Sequence, residues 1–253
     1  MKVSEIFDFI NSFAPFKTAL PFDNAGLLVG DKNAEVKKIG VVLDVTADVT
    51  ERAVENGIDL IISHHPVIFN GIKRLEPDSP PYLLARHGIS VISAHTNLDA
   101  ATGGVNDALA AALGLKNVTP LSDGQSDGYP PMGRIGRLEA PLSCEQFAKT
   151  VAQRLCTKAK TVLCNGKILK VAVCGGAGED FIMPAVDAGA DALVTADIKH
   201  HNLLLAKSLG LCLIDAGHFE TENVVVPILA KRISEFSKSE TVIIPQSPPA
   251  VWF

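Results

Sequence analysis

The feature that most constrains this chain is an alternation of short β-branched apolar runs with helical segments. Residues 39–45 read IGVVLDV and residues 58–62 read IDLII, with a helical pattern over residues 48–56 between them. Strand, helix and strand in that order form a βαβ unit, whose strands must lie parallel. The pattern then repeats: a helix at 81–87, a strand at 89–93, a loop through His95 and Asp99, and a helix at 104–113. A second series follows, with a helix at 144–155, a strand at 168–174, a helix at 181–188 and a strand at 192–195. The expected class is therefore α/β, with mostly parallel sheets flanked by helices. In such sheets binding sites form at the carboxyl ends of the strands.

The sequence divides into two lobes. Residues 122–132, SDGQSDGYPPM, are rich in Gly, Ser, Asp and Pro without periodicity, which marks a linker. The expected division is 1–124 for a first lobe, 125–214 for a second, and 215–253 as a return segment completing the first. An internal repeat agrees: AVENGID at residues 53–59 matches AVDAGAD at 185–191, an offset of 132. A further echo pairs GISVISA at 88–94 with GLCLIDA at 210–216. Each copy is followed by a histidine and, four residues later, an acid: His95 with Asp99, and His218 with Glu222.

Composition narrows the class. The chain has 253 residues, 47% of them hydrophobic, enough for one large or two small cores. Its net charge of −5 gives no overall field for nucleic acid, and the basic pair Lys73 and Arg74 is too little for a groove. Five cysteines without C-x-x-C spacing argue against a disulfide framework or a zinc ribbon, and read as buried thiols of a reducing compartment. At the N-terminus Ser4 is expected to cap a helix carrying Ile6, Phe9, Ile10 and Phe13. Glu5 and Asp8 exclude a signal peptide, and no run approaches the roughly 18 apolar residues of a membrane span. The expected location is the cytoplasm.

Chemistry concentrates at strand ends. His64 and His65 directly follow the strand DLIIS, and Pro66 blocks its continuation. The pair, the His95/Asp99 loop and the His218/Glu222 loop each follow a predicted parallel strand, so all three emerge at carboxyl edges. Imidazoles with two carboxylates suit zinc, iron(II) or manganese(II). His64, His65, Asp99, His218 and Glu222 are too many for one open catalytic zinc, so two divalent metal ions are the economical reading. Such a pair lowers the pKa of water between them and points to hydrolysis.

The segments DNAGLLVG (23–30), VVLDVT (41–46), SHHP (63–66), HTNLDAATGGVND (95–107), TADIKHH (195–201) and GHFETE (217–222) resemble those of the NIF-three-like proteins. These are commonly titled GTP cyclohydrolase I type 2 homologues, and the short YbgI-like members are the nearest in length. The resemblance covers almost the whole chain in order. It implies a two-lobed subunit, a dinuclear metal site between the lobes and a ring-shaped homohexamer. On the matching positions His64 and His218 would serve one ion, His65 and Asp99 the other, and Glu222 would bridge. His95 would stand beside them as a proton shuttle or substrate contact. Phe22 replaces a usual Trp, Leu28 a common Gln, and GHFETE the usual GHYATE; none of these removes a ligand.

The implied function is a metal-dependent hydrolase of the GTP cyclohydrolase type, acting on a nucleotide or another phosphorylated small molecule. The alternative is a non-catalytic, metal-holding hexamer that binds partners. Residues 174–178, CGGAG, lack a phosphate-loop ending and are expected to form a tight strand-to-helix turn. Asp197, Lys199 and His200 follow the second series' last strand and either line a site or lie on the surface.

Overall fold

The computed structural model describes residues 1–121 and 131–250. In chain order the elements are α1 (Val3–Phe13), β1 (Gly26–Val29), β2 (Lys38–Val42), α2 (Ala47–Glu55), β3 (Leu60–Ser63), α3 (Pro80–Arg86), β4 (Ser90–Ser93) and α4 (Thr96–Ala100). There follow α5 (Val105–Ala112), β5 (Lys116–Pro120), β6 (Arg134–Ser143), α6 (Cys144–Arg154), β7 (Lys160–Val162), β8 (Lys167–Ala177), α7 (Ile182–Asp187) and β9 (Ala192–Ala196). The described chain then runs through α8 (His200–Leu209), β10 (Cys212–Asp215), α9 (His218–Glu222), α10 (Val225–Phe236) and β11 (Glu240–Ile243).

The chain forms two compact units. The first comprises Met1–Thr102 and Val226–Ser247; the second comprises Gly103–Val225 with the segment that begins at Pro248. These divisions stand beside the sequence expectation of 1–124, 125–214 and 215–253. Most of the proposed linker at 122–132 lies outside the described residues. The helix α5 falls in the second unit because Leu109, Ala110 and Leu113 pack into that unit's core with Phe147, Val151 and Val173.

In the first unit the sheet order is β1-β4-β3-β2-β11, and every pairing except β1 with β4 is parallel. Ile61, Val91, Val42 and Ala53 share one core cluster, as a parallel sheet covered by helices requires. In the second unit the order is β5-β6-β8-β9-β10-β7. Here the expectation of a mostly parallel sheet needs correction. Only β8 with β9 and β9 with β10 are parallel, while β5–β6, β6–β8 and β10–β7 are antiparallel. The exposed charges of β6, RIGRLEAPLS, hid it from an apolar-run reading, and its burial is confined largely to one end. At the N-terminus, helix α1 starts ahead of Ser4. The Glu5 carboxylate accepts from the backbone N–H of Lys2 at 2.7 Å and closes the first turn without a serine cap.

The internal repeat is visible as a shared hydrogen-bond device. In the first unit Gly57 adopts φ +63°, Ile58 N donates to Ala53 O at 2.9 Å, and Asp59 Oδ2 accepts from Lys37 N and Lys38 N at 2.8 and 2.9 Å. In the second, Gly189 adopts φ +68°, Ala190 N donates to Ala185 O at 2.9 Å, and Asp191 Oδ2 accepts from Leu169 N and Lys170 N at 2.9 and 2.8 Å. Each aspartate ties the start of one parallel strand to the start of its neighbour. Its side chain satisfies two backbone donors that the ladder does not reach. Substituting Asp59 or Asp191 by alanine should each cost about 0.5–1.5 kcal/mol, read as a lowered urea midpoint, because two backbone donors lose their acceptor. Unchanged midpoints in both variants would refute this account.

Candidate metal centre

The first unit builds its part of the site at the carboxyl edge of three parallel strands. Strand β3 ends at Ser63, so the next two residues, His64 and His65, leave the sheet together. The neighbouring strand β4 ends at Ser93 and is followed, after Ala94, by His95. One ring nitrogen from each of His64, His65 and His95 lies within 4.8 Å of the others. Ring centroids are 4.9 Å apart for His64 and His65, and 5.2 and 5.4 Å from these to His95. Asp99 enters from α4, where its Oδ1 lies 3.5 Å from His64 Nε2. His64 is fully buried, and Asp99 is buried as well.

Each of these rings is held through its Nδ1. His64 Nδ1 contacts the carbonyl oxygen of Ala94 at 2.9 Å, His65 Nδ1 the Oδ1 of Asp44 at 2.7 Å, and His95 Nδ1 the Oδ1 of Asp23 at 2.8 Å. A carbonyl only accepts, so His64 must carry its proton on Nδ1, which leaves a lone pair on Nε2. Carboxylates dictate the same tautomer in His65 and His95. Burial alone would raise the Asp23 carboxyl, but hydrogen bonds from His95 and Thr96 outweigh it and hold its pKa down at about 2. Asp44 is itself fixed by Gln246, whose Oε1 accepts from Leu43 N and Asp44 N at 2.7 and 3.2 Å while its amide nitrogen donates to Asp44 O at 2.8 Å.

The second unit supplies His218 and Glu222 from α9, one turn apart, with His218 Nε2 3.0 Å from Glu222 Oε2. His218 Nδ1 meets Asp197 Oδ2 at 2.6 Å. Asp197 sits just beyond β9 in a left-handed conformation, φ +56°, which turns its carboxylate toward the imidazole. The hydrogen bond to Glu222 raises the His218 pKa to about 9 against the opposing effect of burial, and Asp197 adds to the rise. Lys199, by contrast, pairs with Glu179 at 2.6 Å, and His200 lies exposed at the start of α8.

Gly176 was not singled out by its residue type, yet it shapes this half. The expected turn at 174–178 is instead largely the end of strand β8. Gly176 adopts φ +63°, its N–H donates to Thr221 Oγ1 at 3.0 Å, and its carbonyl accepts from Thr195 Oγ1 at 3.0 Å. A Cβ there would run into the Glu222 carboxylate and stand 3.1 Å from His218 Nε2. The backbone thus approaches the acid as closely as only glycine allows. Asp23 and Asp44 were likewise missed as supports, although each lies in a segment carrying the family resemblance, whereas Asp197 was among the candidates to line a site. A lone aspartate after a strand gives no signal until the imidazole it touches is known.

The arrangement gathers groups that could hold a divalent metal. Four histidines, His64, His65, His95 and His218, have Nδ1 engaged by a carbonyl or carboxylate, and the Nε2 atoms of His64 and His218 face the buried carboxylates of Asp99 and Glu222. Metal-binding histidines are held in this way, because the outer acceptor fixes the tautomer and strengthens the donor nitrogen. The donor set fits zinc, iron or manganese. Asp44→Asn, which keeps size and removes charge, should weaken divalent-metal affinity about 10–100-fold in a chelator competition titration while leaving the circular dichroism unchanged. An affinity equal to wild type would show that Asp44 plays no such part.

Comparison with known proteins identifies the family. The family model described as Duf34/NIF3 (NGG1p interacting factor 3) matches residues 1–249. A Clostridium perfringens protein named GTP cyclohydrolase 1 type 2 homolog is 32% identical, over 96% of this chain and 95% of its own length. A Staphylococcus aureus hypothetical protein of known structure superposes with a TM-score of 0.91 at 29% identity, covering 100% of this chain and 99% of that one. Reduced HcgD from Methanocaldococcus jannaschii superposes with a TM-score of 0.82 at 32% identity, covering 96% and 97%. Among the described residues no helix is long and apolar enough to cross a membrane.

Proposed function

This chain belongs to the Duf34/NIF3 family, and from that premise we propose that it is a metal-dependent hydrolase of small, phosphorylated or nucleotide-like molecules. The observation that carries this reading is the set of Nδ1-anchored imidazoles at the carboxyl edges of the strands, whose outer nitrogens are left for a ligand. In the proposal His64, His65 and Asp99 from the first unit, with His218 and Glu222 from the second, jointly hold two divalent ions between the lobes. Such ions, when bound, make water acidic enough to supply a nucleophile near neutral pH and polarise the bond under attack.

The chain's own residues do the rest. His64, Asp99 and Glu222 are buried, so the groups they hold are shielded from bulk water and electrostatic effects are strengthened. Asp44 and Asp197 prevent His65 and His218 from rotating. His95 is the proton shuttle: Asp23, ionised throughout the physiological range, steadies the positive charge that its ring acquires when Nε2 takes a proton from the nucleophile. The same Nε2 then returns the proton to the leaving group.

The homohexamer belongs to this proposal too. Phe22, Phe69, Ile72 and Leu75 of the first unit are exposed and offer apolar surface that an assembly would cover. The curated relative's name suggests GTP as the first substrate to try. Zinc-, iron- and manganese-loaded protein, offered GTP, other nucleotides and simple phosphoesters, should release formate or phosphate, and His95→Gln should slow that release about 100-fold or more with ions retained. Absence of turnover on every substrate, with ions and a six-chain mass intact in light scattering, would replace hydrolysis by the metal-holding, partner-binding alternative.

A further inference from the structure

Three cysteines distant in sequence meet inside the second unit. Cys144 opens α6, Cys212 opens β10, and Cys164 lies two residues beyond β7. Their sulfurs all lie within 4.8 Å of one another, and Cys144 Sγ is 2.7 Å from Cys212 Sγ. The surroundings are apolar: Cys144 and Cys212 belong to a core cluster with Phe147, Val171 and Ile214, and Cys164 packs against its rim. Cys212 is fully buried, Cys144 nearly so, and Cys164 half-buried.

We propose that Cys144 and Cys212 form a reversible disulfide, made and broken through Cys164 as the entry thiol. The separation of the two sulfurs is well inside ordinary contact, and a modest side-chain rotation closes it to the bonded distance of about 2.05 Å. An apolar pocket favours this product over a cluster of thiolates around a cation, because the disulfide is neutral and charge is costly to bury. Burial together with the neighbouring thiols pushes the Cys212 thiol far up, and Cys164 is raised chiefly by burial and then by Cys144. Both buried thiols therefore stay neutral and react slowly by themselves, so formation of the bond depends on the more accessible third sulfur.

The oxidant is a low-molecular-weight disulfide. Cys164, as thiolate, attacks one of its sulfurs, forming a mixed disulfide and releasing one small thiolate, which takes up the proton Cys164 gave away. Cys144 attacks the Cys164 sulfur and expels the second small thiol, and Cys212 attacks the Cys144 sulfur and returns Cys164 as a thiol. Two protein thiols lose two electrons and two protons, and the small disulfide gains both to become two thiols. The finished bond fastens the first turn of α6 to the strand that leads, within three residues of its end, to His218.

The test uses a Cys156→Ser background, since Cys156 is exposed and would react by itself. Protein reduced and freed of metal is equilibrated with oxidised glutathione, alkylated with iodoacetamide under denaturing conditions, digested and analysed by mass spectrometry. The expected result is a Cys144–Cys212 cross-linked peptide in most molecules, with Cys164 alkylated. Adding Cys164→Ser should slow cross-linking about tenfold or more and leave the end state unchanged. Full alkylation of Cys144 and Cys212 after equilibration would overturn the proposal, as would a final bond that includes Cys164. An unchanged rate in the Cys164→Ser protein would overturn the entry role. Copper or zinc retained by a His64→Ala/His65→Ala protein and lost on Cys144→Ala would show a thiolate metal site instead.

Discussion

Purified His64→Ala/His65→Ala protein is expected to contain almost no divalent metal by elemental analysis, where wild type is expected to retain it. The two imidazoles leave the end of one strand, and each is held by its own partner, the Ala94 carbonyl or the Asp44 carboxylate. Alanine removes both Nε2 donors and leaves Asp99 buried without them, so the remaining groups in the first unit cannot compensate. Metal that binds only the folded protein stabilises it, by about 2.7 kcal/mol at a hundredfold excess over the dissociation constant. For a chain of this size that corresponds to roughly 5–10 °C in Tm. Treating wild type with a strong chelator should therefore lower its Tm by that amount, while the double variant should not respond. Equal metal contents, or equal chelator responses, would remove the basis of the metal reading.

Gly176→Ala is expected to be nearly as damaging without replacing a ligand. Holding a residue with a Cβ at φ +63° costs about 1–2 kcal/mol. The added methyl also meets the Glu222 carboxylate, and overpacking of this kind typically costs about 1–3 kcal/mol. Glu222 is buried, lies on α9 against β8, and is paired with His218, so it cannot swing away without breaking that pair. Both a fall in Tm and a loss of bound metal should follow. Gly57→Ala isolates the conformational part, because Gly57 has the same φ of +63° but open space around its Cβ position. That variant should lose only about 1–2 kcal/mol and keep its metal. If Gly176→Ala retains full metal affinity, the close backbone approach to Glu222 has no functional meaning.

Much of the fold could be read from residue pattern alone. The βαβ series of the first unit follows from apolar runs such as LIIS and SVIS, which only a doubly covered parallel sheet can bury. Strand β6 escaped notice because one end of it is exposed and charged, so its alternation is weak. The shared Asp59 and Asp191 clamps were foreshadowed by the repeat, although nothing in the string of letters says that an aspartate reaches back to two backbone amides of another strand. Spacing also gave no sign that three of the cysteines meet. No pair has C-x-x-C separation, yet Cys144 and Cys212, 68 residues apart, come within 2.7 Å.

The sequence by itself determined which groups are available and at which ends of which strands they appear. Strand periodicity and the histidines and acids that follow the strands are local properties of consecutive residues. Tertiary structure alone decided the protonation pattern of those histidines. Each Nδ1 proton is fixed by an acceptor lying 21, 30 or 72 residues away, at Asp44, Asp197, Ala94 or Asp23. A lone pair becomes a ligand only when something across the fold holds the opposite nitrogen, and short-range pattern carries no record of that distance.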